Sequence, residues 1–211
     1  VTKHSSIHPT IETLRSHFIS RCHHTPAPIR HPESLAFKTR FKGHYTAAAV
    51  LIPVIPGPTG LEILLTERAH HLRHHPGQIS FPGGRKEITD TSLENTALRE
   101  SLEEIGLDAK KVQVLGRLGD YYTVSGYQVT PIIGIIEESF QPQLDEEEVC
   151  RLLSVPLDFL MARDNFTLQE TLYDNEVRHY YSATYEDNVI WGVTAGIIVA
   201  LYEALLTNHL D

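Results

Sequence analysis

The chain is expected to fold as an α/β protein, a mixed sheet with helices packed on it. Three observations carry that expectation. Short apolar, β-branched runs fill its middle, an amphipathic helix is embedded among them, and an apolar helical run lies near its C-terminus. Its 211 residues suffice for one domain with a sizeable core, or a domain with an arm. Hydrophobic residues at 41% and charged residues at 21% are ordinary globular values and argue against a disordered chain.

In order, residues 9–19 read as a helix, with Pro9 suited to a first turn and Ile11, Leu14 and Phe18 at helical spacing. Residues 23–32, rich in Pro and His, read as a linker. Residues 1–40 are therefore taken as an arm and 41–211 as the main domain. The run 45–55 reads as a buried strand, and Gly57-Pro58-Thr59-Gly60 as a turn into a second strand at 61–67. A basic, His-rich loop at 68–77 leads through a short extended piece, 78–81, to Pro82-Gly83-Gly84. A helix follows, with Asp90, Thr91 or Ser92 as candidate N-caps and Gly106 at its C-terminal cap. Further strands are expected at 111–118 and 128–136, joined by a loop holding Tyr121, Tyr122 and Tyr127. An acidic loop at 141–148 precedes a strand at 149–156 and a short helical piece at 157–161. Segments 167–173 and 177–185 form a hairpin around Asp174-Asn175-Glu176. The last helix spans 194–206, entered through Ile190-Trp191-Gly192-Val193.

The formal net charge of −9 and the absence of a basic run disfavour nucleic acid or an anionic membrane surface as a partner. No apolar run reaches the length of a membrane span, and the first residues lack the apolar core of a signal peptide. Cys22 and Cys150 stand far apart in no metal-like spacing. Two reduced thiols in a cytoplasmic protein are the simplest expectation.

The segment 83–107 concentrates the chemistry. Glu100, Glu103 and Glu104 fall on about one third of a helix circumference at about 100° per residue. Leu98, Leu102 and Ile105 are placed on the opposite, core-facing side. Like charges so spaced destabilise a bare helix, so the cluster suggests cations. Oxygen-only ligands favour Mg²⁺ or Mn²⁺, which bind through a few carboxylates together with substrate phosphates. Taken alone, the glutamates favour a solvated face with an Arg99–Glu103 ion pair.

The upstream segment 64–84, LLTERAHHLRHHPGQISFPGG, alters that balance. Together the two segments resemble the Nudix hydrolases, and within them the bacterial-type coenzyme A diphosphatase subgroup. The family box is matched by Gly84, Arg99, Glu100, Glu103, Glu104, Gly106 and Leu107. The subgroup's upstream signature is matched by Leu64, Leu65, Thr66, Arg68, Ala69, Arg73, Gly77, Ile79, Phe81, Pro82, Gly83 and Gly84. SGYQVTPIIGII at 125–136 and IWGVTAGII at 190–198 extend the resemblance over roughly residues 40–206. Three departures stand out. The Gly84-to-Arg99 spacer is one residue longer than the general box. Its first glutamate is missing, with Asp90 the candidate replacement as a brace for Arg99. An aliphatic position is held by Ser101, expected to weaken packing slightly.

The resemblance implies a Nudix-type α/β/α sandwich with a mixed sheet. It implies Mg²⁺ or Mn²⁺ held by Glu100, Glu103 and Glu104, with the Gly84 carbonyl as a further ligand and Arg99 orienting the glutamates. Glu148, with Glu147 behind it, is the expected base or extra ligand. Arg68 and Arg73, with Gly83, are expected on the substrate side, since guanidinium forks suit phosphate oxygens; Arg85 and Lys86 are weaker candidates. The implied reaction is hydrolysis of the diphosphate bond in coenzyme A or its derivatives, giving 3′,5′-ADP and a 4′-phosphopantetheine. NADH- or ADP-ribose-type diphosphates are the alternative substrates, and a non-catalytic nucleotide sensor is the alternative class. The resemblance is also compatible with a homodimer. The i,i+4 histidine pairs, His70/His74 and His71/His75, read as a solvated loop because Pro76-Gly77 ends any helix and no third zinc ligand is apparent. The loop tyrosines read as packing more than base stacking, and Trp191 as core or an anchor for the last helix.

Overall fold

The structure, a computed structural model, describes residues 8–19, 29, 31–40, 43–173 and 175–206. Cys22, most of the expected linker and Asp174 lie outside these residues. Five helices are described: α1 (Ile11–Ile19), α2 (Pro32–Arg40), α3 (Leu93–Ile105), α4 (Leu157–Leu160) and α5 (Gly192–Leu206). The strands are β1 (Thr46–Pro56), β2 (Leu61–Arg68), β3 (Ile79–Ser80), β4 (Gly83–Arg85), β5 (Gln113–Arg117), β6 (Tyr121–Tyr122), β7 (Tyr127–Ile135), β8 (Val149–Pro156), β9 (Thr167–Tyr173), β10 (Glu176–Tyr185) and β11 (Asn188–Trp191).

An eight-stranded mixed sheet runs β3-β2-β1-β7-β5, with β4 on β1, β6 on β7 and β8 on β2. Strands β1 and β7 pair in parallel from Thr46↔Tyr127 to Val54↔Ile135, and β1–β2 is the expected antiparallel hairpin. Burial on both faces explains why β1 and β7 read as nearly continuous apolar runs. On one face Leu51, Leu64, Ile132 and Ile136 pack with Ala97 and Ile105 of α3. On the other, Ile52, Ile63, Leu65 and Ile133 pack with Ile198, Leu201 and Leu205 of α5 and with Leu14 and Phe18 of α1. Strands β9, β10 and β11 form a separate antiparallel sheet beside this layer.

Three local readings are corrected. Helix α2 occupies part of the segment read as an arm without further elements. Its Ser34 hydroxyl accepts the Tyr122 N–H at 2.8 Å, and Phe37 is buried. Tyr121 and Tyr122 pack as expected, buried, but they do so as strand β6 and not in a loop. The Tyr121 ring lies where a Cβ on Gly196 of α5 would come within 2.7 Å. Trp191 is 39% exposed, edge-on to Tyr180 of the small sheet.

Candidate active site

The site is assembled where β4 crosses β1 and leads into α3. Gly83 and Gly84 pair with Val50 and Ala49 of β1. Gly83 has φ +148°, and a Cβ there would lie 2.4 Å from the Ala49 carbonyl oxygen, so no other residue fits. At Gly84 a Cβ would lie 2.6 Å from the Glu100 carboxyl carbon, so the missing side chain is the space that carboxylate occupies.

Helix α3 starts at Ser92, whose side chain accepts the Asn95 N–H at 3.1 Å. It stops at Gly106, φ 71°, whose N–H meets the Leu102 carbonyl while the Leu107 N–H meets that of Ser101. Its buried side is Ala97, Ser101, Glu104 and Ile105. Leu102, expected in the core, is 52% exposed. Ser101 is fully buried, and its hydroxyl donates to the Ala97 carbonyl at 2.7 Å, which satisfies it where an aliphatic group was expected. The glutamates are therefore graded rather than uniformly solvated: Glu103 is exposed, Glu100 half-buried and Glu104 buried.

Arg99 ties this arrangement together. Its Nε and Nη2 donate to the two oxygens of Asp90 at 3.0 and 3.1 Å, a bidentate fork. Its Nη1 reaches Glu103 at 2.8 Å, and its Nη2 lies 2.9 Å from Glu100 and 3.1 Å from the Arg85 carbonyl. Asp90, itself buried, also accepts the Glu87 N–H at 2.8 Å and the Thr96 hydroxyl at 3.0 Å. The Arg99 fork and these donors hold the Asp90 carboxyl well below the usual carboxylate range. Asp90 thus takes the place of the missing family glutamate behind Arg99.

Burial pushes the Glu104 carboxyl up to about 8, although the Gly83 N–H, 3.1 Å from its Oε2, works the other way. The charges of Glu100 and Glu148 add to the upward shift, while that of Arg68 opposes it. Glu100 is raised too, first by burial, then against the pull of Arg99, with Glu103 and Glu148 raising it further. The charge of Glu148 thus bears on both Glu100 and Glu104. Its loop is fixed to the C-terminal end of α3, because the Gln143 and Asp145 N–H groups donate to the Ile105 and Glu104 carbonyls at 3.1 and 3.0 Å. Carboxylates crowded in this way, with one buried opposite a glycine turn, fit a divalent cation.

Arg68 ends β2, and its charge opposes the upward shift of Glu104. Arg73 and Arg85 are exposed on the loop and on β4, while the Lys86 ammonium is already engaged with the Asp90 carbonyl at 2.9 Å. The loop is not helical, but His70 lies 3.1 Å from Glu67 and His71 lies 3.6 Å from Glu147. The first of these contacts is local, between residues three apart at the end of β2.

A mixed sheet between two helical layers, carrying a glycine turn and a carboxylate helix braced by arginine, defines a metal-dependent hydrolase of the Nudix class. The NUDIX domain profile matches residues 45–169, and the chain belongs to the Nudix family. It is 40% identical over 186 residues to a protein of Yersinia enterocolitica described as an uncharacterized Nudix hydrolase NudL, covering 87% of this chain and 89% of that one. A Yersinia pestis protein of the same description is 42% identical over 153 residues, covering 72% and 75%. The crystal structure of the Nudix hydrolase RenU from M. smegmatis superposes with a TM-score of 0.52 at 20% identity, covering 79% of this chain and 88% of that one. The chain is thus an enzyme, a Nudix hydrolase, of a family that acts on small nucleoside-diphosphate derivatives with divalent metal ions. No described helix is long and apolar enough to cross a membrane.

Proposed function

We propose that this enzyme hydrolyses the diphosphate bond of coenzyme A or its derivatives, using Mg²⁺ or Mn²⁺, to 3′,5′-ADP and a 4′-phosphopantetheine. The observation that carries the reading is the course of segment 64–84. It runs as β2, loop, β3 and β4, so that Gly83 and Gly84 come against Glu104 and Glu100, and the charge of Arg68 bears on Glu104. This course supports reading the residues that resemble the subgroup's signature and those of the family box as parts of one site.

In this reading Glu100, Glu103 and Glu104, with the Gly84 carbonyl, hold the cation. Such an ion supplies charge neutralisation on the phosphate oxygens and activation of water when bound. Arg99 holds Glu100 and Glu103 in place against Asp90, so their orientation does not have to be created on binding. Glu148, exposed on its anchored loop, is the proton acceptor for the attacking water. Arg68, Arg73 and Arg85 bind the anionic ends of the substrate. Water adds to one phosphorus, the bridging P–O bond breaks, and no covalent enzyme intermediate forms.

The test is a substrate panel with Mg²⁺ or Mn²⁺: coenzyme A, an acyl-coenzyme A, NADH and ADP-ribose. Faster turnover of the coenzyme A compounds is expected. Turnover of NADH or ADP-ribose with coenzyme A untouched would overturn the assignment.

A further inference from the structure

We propose that Glu67, His70 and Cys150 form a second metal site, one that takes a borderline-soft divalent ion such as Zn²⁺ and ties the arginine-bearing loop to β8. A carboxylate oxygen, an imidazole nitrogen and the thiol sulfur lie within 4.8 Å of one another. Zinc–ligand bonds of about 2.0–2.3 Å put neighbouring tetrahedral ligands about 3.5 Å apart, so closing on an ion needs movements of about an ångström. His70 and Cys150 are exposed and free to make them.

The backbone is arranged for this convergence. The β2–β8 register passes from Glu67↔Arg151 to Arg68↔Val149, so Cys150 is the inserted residue of a β-bulge. Bulges re-aim side chains, and this one brings the thiol into reach of Glu67. Gly77, φ +68°, sits so close to the imidazole that a Cβ would lie 2.9 Å from its Nδ1. The opposite nitrogen, Nε2, lies 3.1 Å from Glu67 Oε1. The other Glu67 oxygen is paired with Arg151 at 2.5 Å, which keeps the carboxylate in place. Thiolate and imidazole donors select Zn²⁺ over Mg²⁺, so the site discriminates against the ion expected at the glutamates of α3. Three protein ligands leave a fourth position for water. Because Arg68 follows Glu67 directly and Arg73 lies on the same loop, a bound ion fixes the segment that the substrate side depends on.

The site does not use the α3 glutamates, and its test does not depend on the substrate assignment. The full chain is titrated with Co²⁺ in excess Mg²⁺, and the thiolate-to-cobalt charge-transfer absorption is followed. One equivalent of Co²⁺ should produce the band, and Zn²⁺ should displace it. Cys150→Ser should abolish it and His70→Ala should weaken Co²⁺ binding by about tenfold or more, whereas Cys22→Ser and Glu104→Gln should retain it. Absence of the band in the unsubstituted chain, or its persistence in Cys150→Ser, would overturn the proposal.

Discussion

Replacing Asp90 with alanine removes the brace behind Arg99, and the cost can be worked from its contacts. The carboxylate is buried and forks onto Arg99 at 3.0 and 3.1 Å. Removing one partner of a buried ion pair typically costs about 3–5 kcal/mol. Arg99 keeps Glu100 and Glu103, which offsets part of this. The Glu87 N–H and Thr96 hydroxyl lose their acceptor, at about 1 kcal/mol each. A net loss of about 3 kcal/mol lowers Tm by about 6–12 °C at this chain length. Calorimetry reads that shift, and turnover should fall as well, because Glu100 and Glu103 lose their fixed orientation. The pair also sets an acid limit. A depressed folded pKa gives stability that is present above the ordinary value of 3.8 and is lost as pH falls below it. Asp90→Asn should therefore show a shallower loss of stability on acidification than the natural chain. A Tm within about 2 °C of the natural value with full activity in Asp90→Ala would refute the brace.

Glu103→Gln and Glu104→Gln should each cut Mg²⁺-dependent turnover about tenfold or more while leaving the fold intact by circular dichroism. Gly84→Ala should keep a near-natural Tm but lose activity, because its Cβ displaces only the end of the Glu100 side chain. Gly83→Ala should lower Tm sharply, because its Cβ meets the backbone of β1. For Glu104 the raised folded pKa means that, in chelator, stability falls as pH rises from about 4.5 to about 8. Denaturation in chelator at both ends of that range should show the fall, and Glu104→Gln should flatten it. Added Mn²⁺ should raise Tm more at pH 8 than at pH 5.

The elements with strong local signals were legible in the sequence. The apolar runs of β1, β2, β7 and β8 and the turn at Gly57–Gly60 mark themselves by composition, as do the two ends of α3. The Asp90–Arg99 brace was also within reach, because counting back from Arg99 lands on Thr91, with Asp90 beside it. What periodicity misplaced was the rotation of α3. It put Leu102 toward the core, whereas the sheet takes Ala97 and Ser101 beside Ile105, the first two small enough for the helix to lie close and bury Glu104 against Gly83. Helix α2 and the burial of Tyr121 rest on contacts between distant segments, as does the Glu67–His70–Cys150 cluster. Spacing along one segment carries no trace of these contacts.

The proposed reaction is read most directly by product identification by mass spectrometry after incubating the enzyme with coenzyme A and Mn²⁺ or Mg²⁺. Equal amounts of 3′,5′-ADP and 4′-phosphopantetheine are expected from the natural chain, with strongly reduced amounts from Glu104→Gln. Intact coenzyme A, or the same yield from Glu104→Gln, would contradict the account.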